Sequence, residues 1–115
     1  MTPGTRLTNE ILLALSARGC MVWRNVTGTA YQGRVIHKDG RSVTLGDSRV
    51  IVFGLVGSAD IIGLTADGRF IGIEVKAGTD RPSKEQRAWV EAVQKHGGLA
   101  GFAKSVQDAL DILTT

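Results

Sequence analysis

The sequence predicts an α/β fold in which one mixed sheet lies between helices. Three observations carry this. An apolar stripe at helical spacing opens the chain, short β-like segments with Asp-Gly turns follow, and an α-β-α pattern closes it. The 115 residues suit one domain spanning 1–115, long enough to bury a core of its own.

Leu7, Ile11 and Leu15, widened by Leu12, predict a helix over Thr5–Arg18, capped by Thr5 or Thr8 and stopped at Gly19. Cys20-Met21-Val22-Trp23 reads as a buried strand ending at Arg24-Asn25, and the polar stretch Asn25–Gly33 as a loop. Lys38-Asp39-Gly40-Arg41 reads as a turn between strands Arg34–His37 and Ser42–Leu45. Gly46-Asp47-Ser48 reads as a second turn, into Val50-Ile51-Val52-Phe53. Asp67-Gly68 joins Asp60–Thr65 to Phe70–Lys76. After a loop at Gly78–Pro82, Ser83 opens a long helix that runs to His96 and ends at Gly97-Gly98. Ala100–Ala103 is a short strand. Ser105 caps a last helix with Ala109, Leu110 and Leu113 facing in.

Hydrophobic residues make up 43% and charged residues 22% of the chain, which excludes a disordered polymer. No apolar run approaches the ~18 residues of a membrane span, and no secretory h-region follows the first residues. Cys20 is alone, so there is no disulfide framework, which fits a cytoplasmic setting. Lys plus Arg number 14 against 11 Asp plus Glu, a net charge of +3 that leans toward a polyanionic partner. Aromatics at 5% argue against a base-stacking platform. His37 and His96 lack ligand-spaced neighbours for zinc, no serine has a triad pattern, and Gly54-Leu55-Val56-Gly57 lacks the Lys-Ser/Thr ending of a phosphate loop.

The informative segment is Asp60 followed by Ile73-Glu74-Val75-Lys76. Strand alternation puts Ile71, Ile73 and Val75 on one face, and Gly72, Glu74 and Lys76 on the other. Asp60 joins them only in one hairpin register. A two-residue turn at Asp67-Gly68 separates Asp60 from Glu74. A three-residue loop, Ala66-Asp67-Gly68 with Gly68 left-handed, pairs Asp60 with Glu74, Ile61 with Ile73 and Ile62 with Gly72. The second register is the one expected here. Two carboxylates and an ammonium on one face suit a hard cation such as Mg²⁺ or Mn²⁺, held by Asp60, Glu74 and the Val75 carbonyl. Lys76 would hold or help deprotonate the attacking water, and the metal would stabilise charge on a phosphate. The ordinary alternative is a surface ion pair of Lys76 with Glu74 or Asp60.

Asp60…Glu74-Val75-Lys76, on a hairpin after a first helix that carries Glu10, resembles the PD-(D/E)xK nuclease superfamily. More narrowly, the chain resembles the VRR-NUC domain of standalone phage and bacterial proteins. The matching stretches are Trp23-Arg24-Asn25, Gly57–Gly63, Asp67–Phe70, Ile73–Lys76, Ser83-Lys84-Glu85-Gln86, Gly97-Gly98 and Ala103–Ala109. Ala59 departs from the pattern, which has proline there. The resemblance implies a restriction-endonuclease-like mixed sheet flanked by helices. It also implies a metal-dependent endonuclease that leaves 5′-phosphates, and a homodimer acting on branched DNA such as Holliday junctions.

By the same resemblance Glu10 is the first-helix acid; by composition alone it is a solvated helix carboxylate. Small Ala14 and Ala17 beside it would let that helix approach the sheet closely. Gln86 lies three residues after Ser83, the spacing of a capping box. It also starts the stripe Val90, Val93, Gly97, where it could position a water or Lys76. Arg24 and Asn25 could contact phosphate at a strand end. Lys84 and Arg87 are further candidates for nucleic-acid contact, as Lys38 and Arg41 are at a turn tip, although each also reads as an ordinary surface charge. Trp89 reads as core packing. Catalysis would rest on Asp60, Glu74 and Lys76, with Glu10 and Gln86 assisting. The rival reading is a silent DNA-binding or assembly module of the same fold.

Overall fold

The computed structural model describes residues 1–114. Its elements are α1 (Pro3–Ala17), β1 (Met21–Arg24), β2 (Gly28–Asp39), β3 (Ser42–Phe53), β4 (Ile61–Leu64), β5 (Phe70–Val75), α2 (Lys84–Lys95), β6 (Leu99–Ala103) and α3 (Val106–Ile112). The mixed α/β architecture is the one expected, but the strands form two sheets. One has four strands in the order β1-β4-β5-β6, with β5 and β6 parallel; β2 and β3 form a separate antiparallel ribbon. The contacts divide the chain into two compact units, Val26–Leu55 and the remainder. Among the described residues no helix is long and apolar enough to cross a membrane.

The first helix begins earlier than expected. Thr2, not Thr5 or Thr8, is the cap: its hydroxyl accepts from the Thr5 N–H at 3.1 Å, and Pro3 takes the first helical position, where its missing N–H costs nothing. The face of α1 packed into the core carries Thr8, Ile11 and Leu15, not Glu10, Ala14 and Ala17. Buried Thr8 satisfies its hydroxyl on the Gly4 carbonyl at 2.8 Å. Ile11 and Leu15 join Ile61, Ile71, Ile73, Val75, Ala103 and Ala109 in one core, so α1 and α3 cover the isoleucine face of the sheet.

The opposite face is covered by α2. Trp89 sits over Gly72, close enough that a Cβ there would collide with the indole ring, and meets Phe70 edge to face at 6.1 Å. With helices on both faces and strands on both sides, β5 is buried from Ile71 to Val75. The predicted strand at Cys20–Trp23 is instead the edge strand Met21–Arg24; its Val22 packs on the core, while Met21 and Trp23 project from the other face and are exposed.

The ribbon departs furthest from expectation. Residues 28–33 are not a loop: they pair with β3, Gly28 with Phe53 and Tyr31 with Val50. Gly46-Asp47-Ser48 does not turn the chain. The ladder steps from Gln32–Arg49 to Arg34–Gly46, so these residues are a β-bulge, with Asp47 at φ 53°. Turn residues and bulge residues answer the same demand for positive φ, and sequence alone does not separate them. Val50–Phe53 is therefore the continuation of β3, paired with Gly28–Tyr31. The turn at Gly40-Arg41 stands as expected.

Gly72→Ala is expected to lower stability by about 1–3 kcal/mol, the cost of overpacking against a fixed ring. Thermal unfolding followed by tryptophan fluorescence checks this; an unchanged midpoint would show that Trp89 can withdraw freely.

Candidate active site

The site is built by the β4–β5 hairpin. Ile61 pairs with Ile73, Ile62 with Gly72 and Leu64 with Phe70, the register that requires the three-residue loop. Gly68 closes that loop at φ 89°, and the Thr65 N–H donates to the Arg69 carbonyl at 2.8 Å. Asp60, one residue before β4, consequently stands level with Glu74. Its Oδ2 accepts from the Val75 N–H at 2.8 Å. This bond ties the carboxylate to β5 through the main-chain donor of Val75, the residue whose carbonyl is the candidate metal ligand.

Glu74 is 3% exposed and Lys76 9% exposed. Burial pushes the Glu74 carboxyl up to about 8; a hydrogen bond shared with Asp60 and the repulsion of its charge add to the rise, while Lys76 opposes it. Glu74 Oε2 is buried without a hydrogen-bond partner among the described residues. Leaving a buried acceptor unmatched is costly, so Glu74 carries a local strain that the fold itself does not relieve. Among the described residues no three or more His, Cys, Asp or Glu side chains gather as a metal-holding group. Asp60 and Glu74, with main-chain oxygen, are what could hold an ion.

The other predicted residues lie around this centre at differing remove. Glu10 is exposed on α1, the helix that covers the isoleucine face, and it is not gathered with the two acids. Gln86 completes the capping box: its Oε1 accepts from the Ser83 N–H at 2.9 Å and its own N–H donates to Ser83 Oγ at 3.1 Å. Its side-chain nitrogen makes no hydrogen bond among the described residues. The Arg24 guanidinium reaches Asn9 and the Thr5 carbonyl, bracing β1 against α1. The side-chain nitrogen of Asn25 donates to Ser58 Oγ at 2.7 Å and to the Ala59 carbonyl at 2.9 Å, which takes up both of its hydrogens. Lys84 and Arg87 are exposed in the first turns of α2.

Two basic residues not singled out from the sequence belong to this end of the sheet. Arg81 and Lys104 line a cavity of about 440 Å³ with Gly78, Thr79, Asp80 and Pro82. Lys104 follows β6, whose Ala103 pairs with Val75 and accepts from the Lys76 N–H at 2.9 Å. No sequence signal places Lys104 beside Lys76, because a parallel pairing joins strands that are distant along the chain.

A mixed sheet between helices, with an aspartate and a glutamate level on a hairpin and a lysine two residues on, defines a nuclease of the PD-(D/E)xK type. The chain belongs to the VRR-NUC family: the VRR-NUC domain matches residues 36–107. That span holds Asp60, Glu74, Lys76, Lys84, Gln86 and Arg87, while Glu10, Arg24 and Asn25 precede it. No curated protein matches the chain.

A raised carboxyl pKa means that the folded protein keeps a proton which the unfolded chain gives up. Stability of the metal-free protein should therefore fall as pH rises from the ordinary 4.5 toward 8. Glu74→Gln should flatten that fall. Melting temperatures across this range test it; parallel curves for parent and variant would show that Glu74 ionises freely in the folded state.

Proposed function

We propose that this chain is a divalent-cation-dependent endonuclease that hydrolyses DNA phosphodiesters, using Mg²⁺ or Mn²⁺. The observation that carries the reading is the buried Glu74 Oε2, without a hydrogen-bond partner among the described residues, on a carboxyl that interacts with that of Asp60. Mg²⁺ is commonly bound through one or two carboxylates and completes its shell with waters and substrate phosphates. Two acids are therefore enough, and a silent binding module has no use for burying them together.

Asp60 and Glu74 hold the ion, with the Val75 carbonyl as a third oxygen. A bound divalent ion lowers the pKa of a water and offsets charge that gathers on the phosphate. Lys76, an ammonium with three donors and no acceptor, orients the attacking water and the phosphate oxygens. Gln86 shares one side of α2 with Trp89 at a spacing of three residues, so its free amide hydrogens serve the same face of the sheet. Arg24, Lys84 and Arg87 are exposed and suit the sequence-independent grip on DNA phosphates. Glu10 is left outside the ion's shell. A lone cysteine fits a reducing cytoplasm.

The active form is proposed to be a homodimer that prefers branched DNA. Cutting two strands symmetrically needs two sites, and a two-fold axis supplies both from one surface. The ribbon supports this. On one of its faces Tyr31, Val35, Val43, Val50 and Val52 are all exposed, between 49% and 68%. Its polar residues form their own links, Arg49 to Gln32 at 2.6 Å and Arg34 to Asp47 at 3.5 Å. An isolated two-stranded ribbon is marginal in water, so a covered apolar face would steady it.

Asp60→Asn and Glu74→Gln should each abolish cleavage in Mg²⁺ or Mn²⁺ with the fold intact. Lys76→Ala should lose about 10²–10³ in rate, as removal of one positioned donor commonly does, yet still bind Mn²⁺ in calorimetry. Cleavage at the parental rate by either acid variant would refute the metal site.

Light scattering at micromolar protein should report a dimer, and a four-way junction should outcompete linear duplex. A strict monomer that cuts both DNAs equally well would refute the dimer and its substrate while leaving the metal chemistry standing.

A further inference from the structure

Asp60 must be held in one backbone conformation for its carboxylate to meet both the Val75 N–H and Glu74. Proline is the residue that would stiffen the preceding position, and this chain has Ala59 there, 1% exposed. A buried carbonyl at Ala59 requires a donor. Asn25 supplies it from 34 positions away along the chain, at 2.9 Å. The assignment of the amide is forced, because a carbonyl only accepts and the nitrogen must therefore face it. The main-chain N–H of the same Asn25 donates to the Asp60 carbonyl at 2.8 Å. The two carbonyls so gripped belong to the peptide units on either side of the Asp60 Cα. One residue at the end of β1 thus fixes both rotations about that atom.

We propose that Asn25 is a positioning residue for Asp60, holding by two hydrogen bonds the peptide units on either side of it, where a proline at 59 would stiffen the chain only on the approach. With both amide hydrogens engaged, Asn25 presents only an acceptor outward and does not contact phosphate. The inference rests on Asp60 belonging to the metal site proposed above. Ser58 takes the second amide hydrogen, and its bond is the less important of the two, since it does not touch the peptide units around Asp60.

The test is calorimetric titration of the full chain with Mn²⁺, beside metal-free melting. Asn25→Ala removes the grip. Asn25→Asp keeps the shape and the main-chain N–H but sets an oxygen against the Ala59 carbonyl. Both should bind Mn²⁺ about 10–100-fold more weakly, as loss of a group that orients a ligand commonly causes, and both should need correspondingly more Mn²⁺ to cleave DNA. Ser58→Ala should stay close to the parent. Adding Ala59→Pro to Asn25→Ala should recover part of the lost affinity. Parental Mn²⁺ affinity in both Asn25 variants overturns the proposal. So does loss of the folded state in both, which would make Asn25 a staple of the fold alone. Asp60→Asn in the same series separates the two readings. Undiminished binding there refutes the metal site itself, whereas abolished binding there beside normal binding in the Asn25 variants refutes only the positioning role.

Discussion

The pairing of Ile61 with Ile73 is the constraint on which the site depends. Side chains alternate along a strand, so a slip of one residue would turn Asp60 away from Glu74 and move the isoleucines off the α1 face together. Two independent demands select the observed register. Gly68 accepts the positive φ that closes the loop, and Ile61, Ile71 and Ile73 are fully buried only when they share a face. Because hydrophobic burial and loop geometry agree, the acids are brought level by forces that have nothing to do with chemistry at a phosphate.

What those forces achieve at Glu74 is unfavourable taken alone. An acid is driven into a strand covered on both faces, beside a second acid, with one oxygen unmatched. Such local conflict is where functional sites are found. The isoleucine layer and the Trp89–Gly72 contact supply the rigidity that keeps the conflict from relaxing. Lys76 moderates it from the same face. The capping box at Ser83 and Gln86 anchors the start of the helix that covers that face.

The ribbon obeys a different logic. Its strands are long and interrupted by register shifts after Gln32 and Val35, and both faces carry exposed apolar side chains: Tyr31, Val50 and Val52 on one, Ile51 and Phe53 on the other. Glycine and aspartate at 46 and 47 serve there to kink a strand rather than to reverse it. The family match begins within the ribbon, at residue 36, and runs through β4, β5, α2 and β6 to the start of α3, leaving out α1 and β1.

Local chemistry made much legible from the sequence. Gly68 in an Ala-Asp-Gly loop, Ser83 with Gln86, Ser105 before α3 and the alternation in Ile71–Lys76 each depend on neighbours within four residues. The register of Asp60 against Glu74 followed from them. Other features depended on which strands become neighbours, and only the tertiary structure decided those. Helical spacing already marked Ile11 and Leu15 as an inward stripe, but long-range packing put Thr8 in with them and left Glu10 facing out. Packing on one face only left β1 half open. Parallel pairing of β5 with β6 set Lys104 beside Lys76. Asn25 reached across to Ala59 because β1 lies against β4. No periodicity encodes these contacts, since each joins residues far apart in the chain whose meeting is fixed by the order of strands in the sheet.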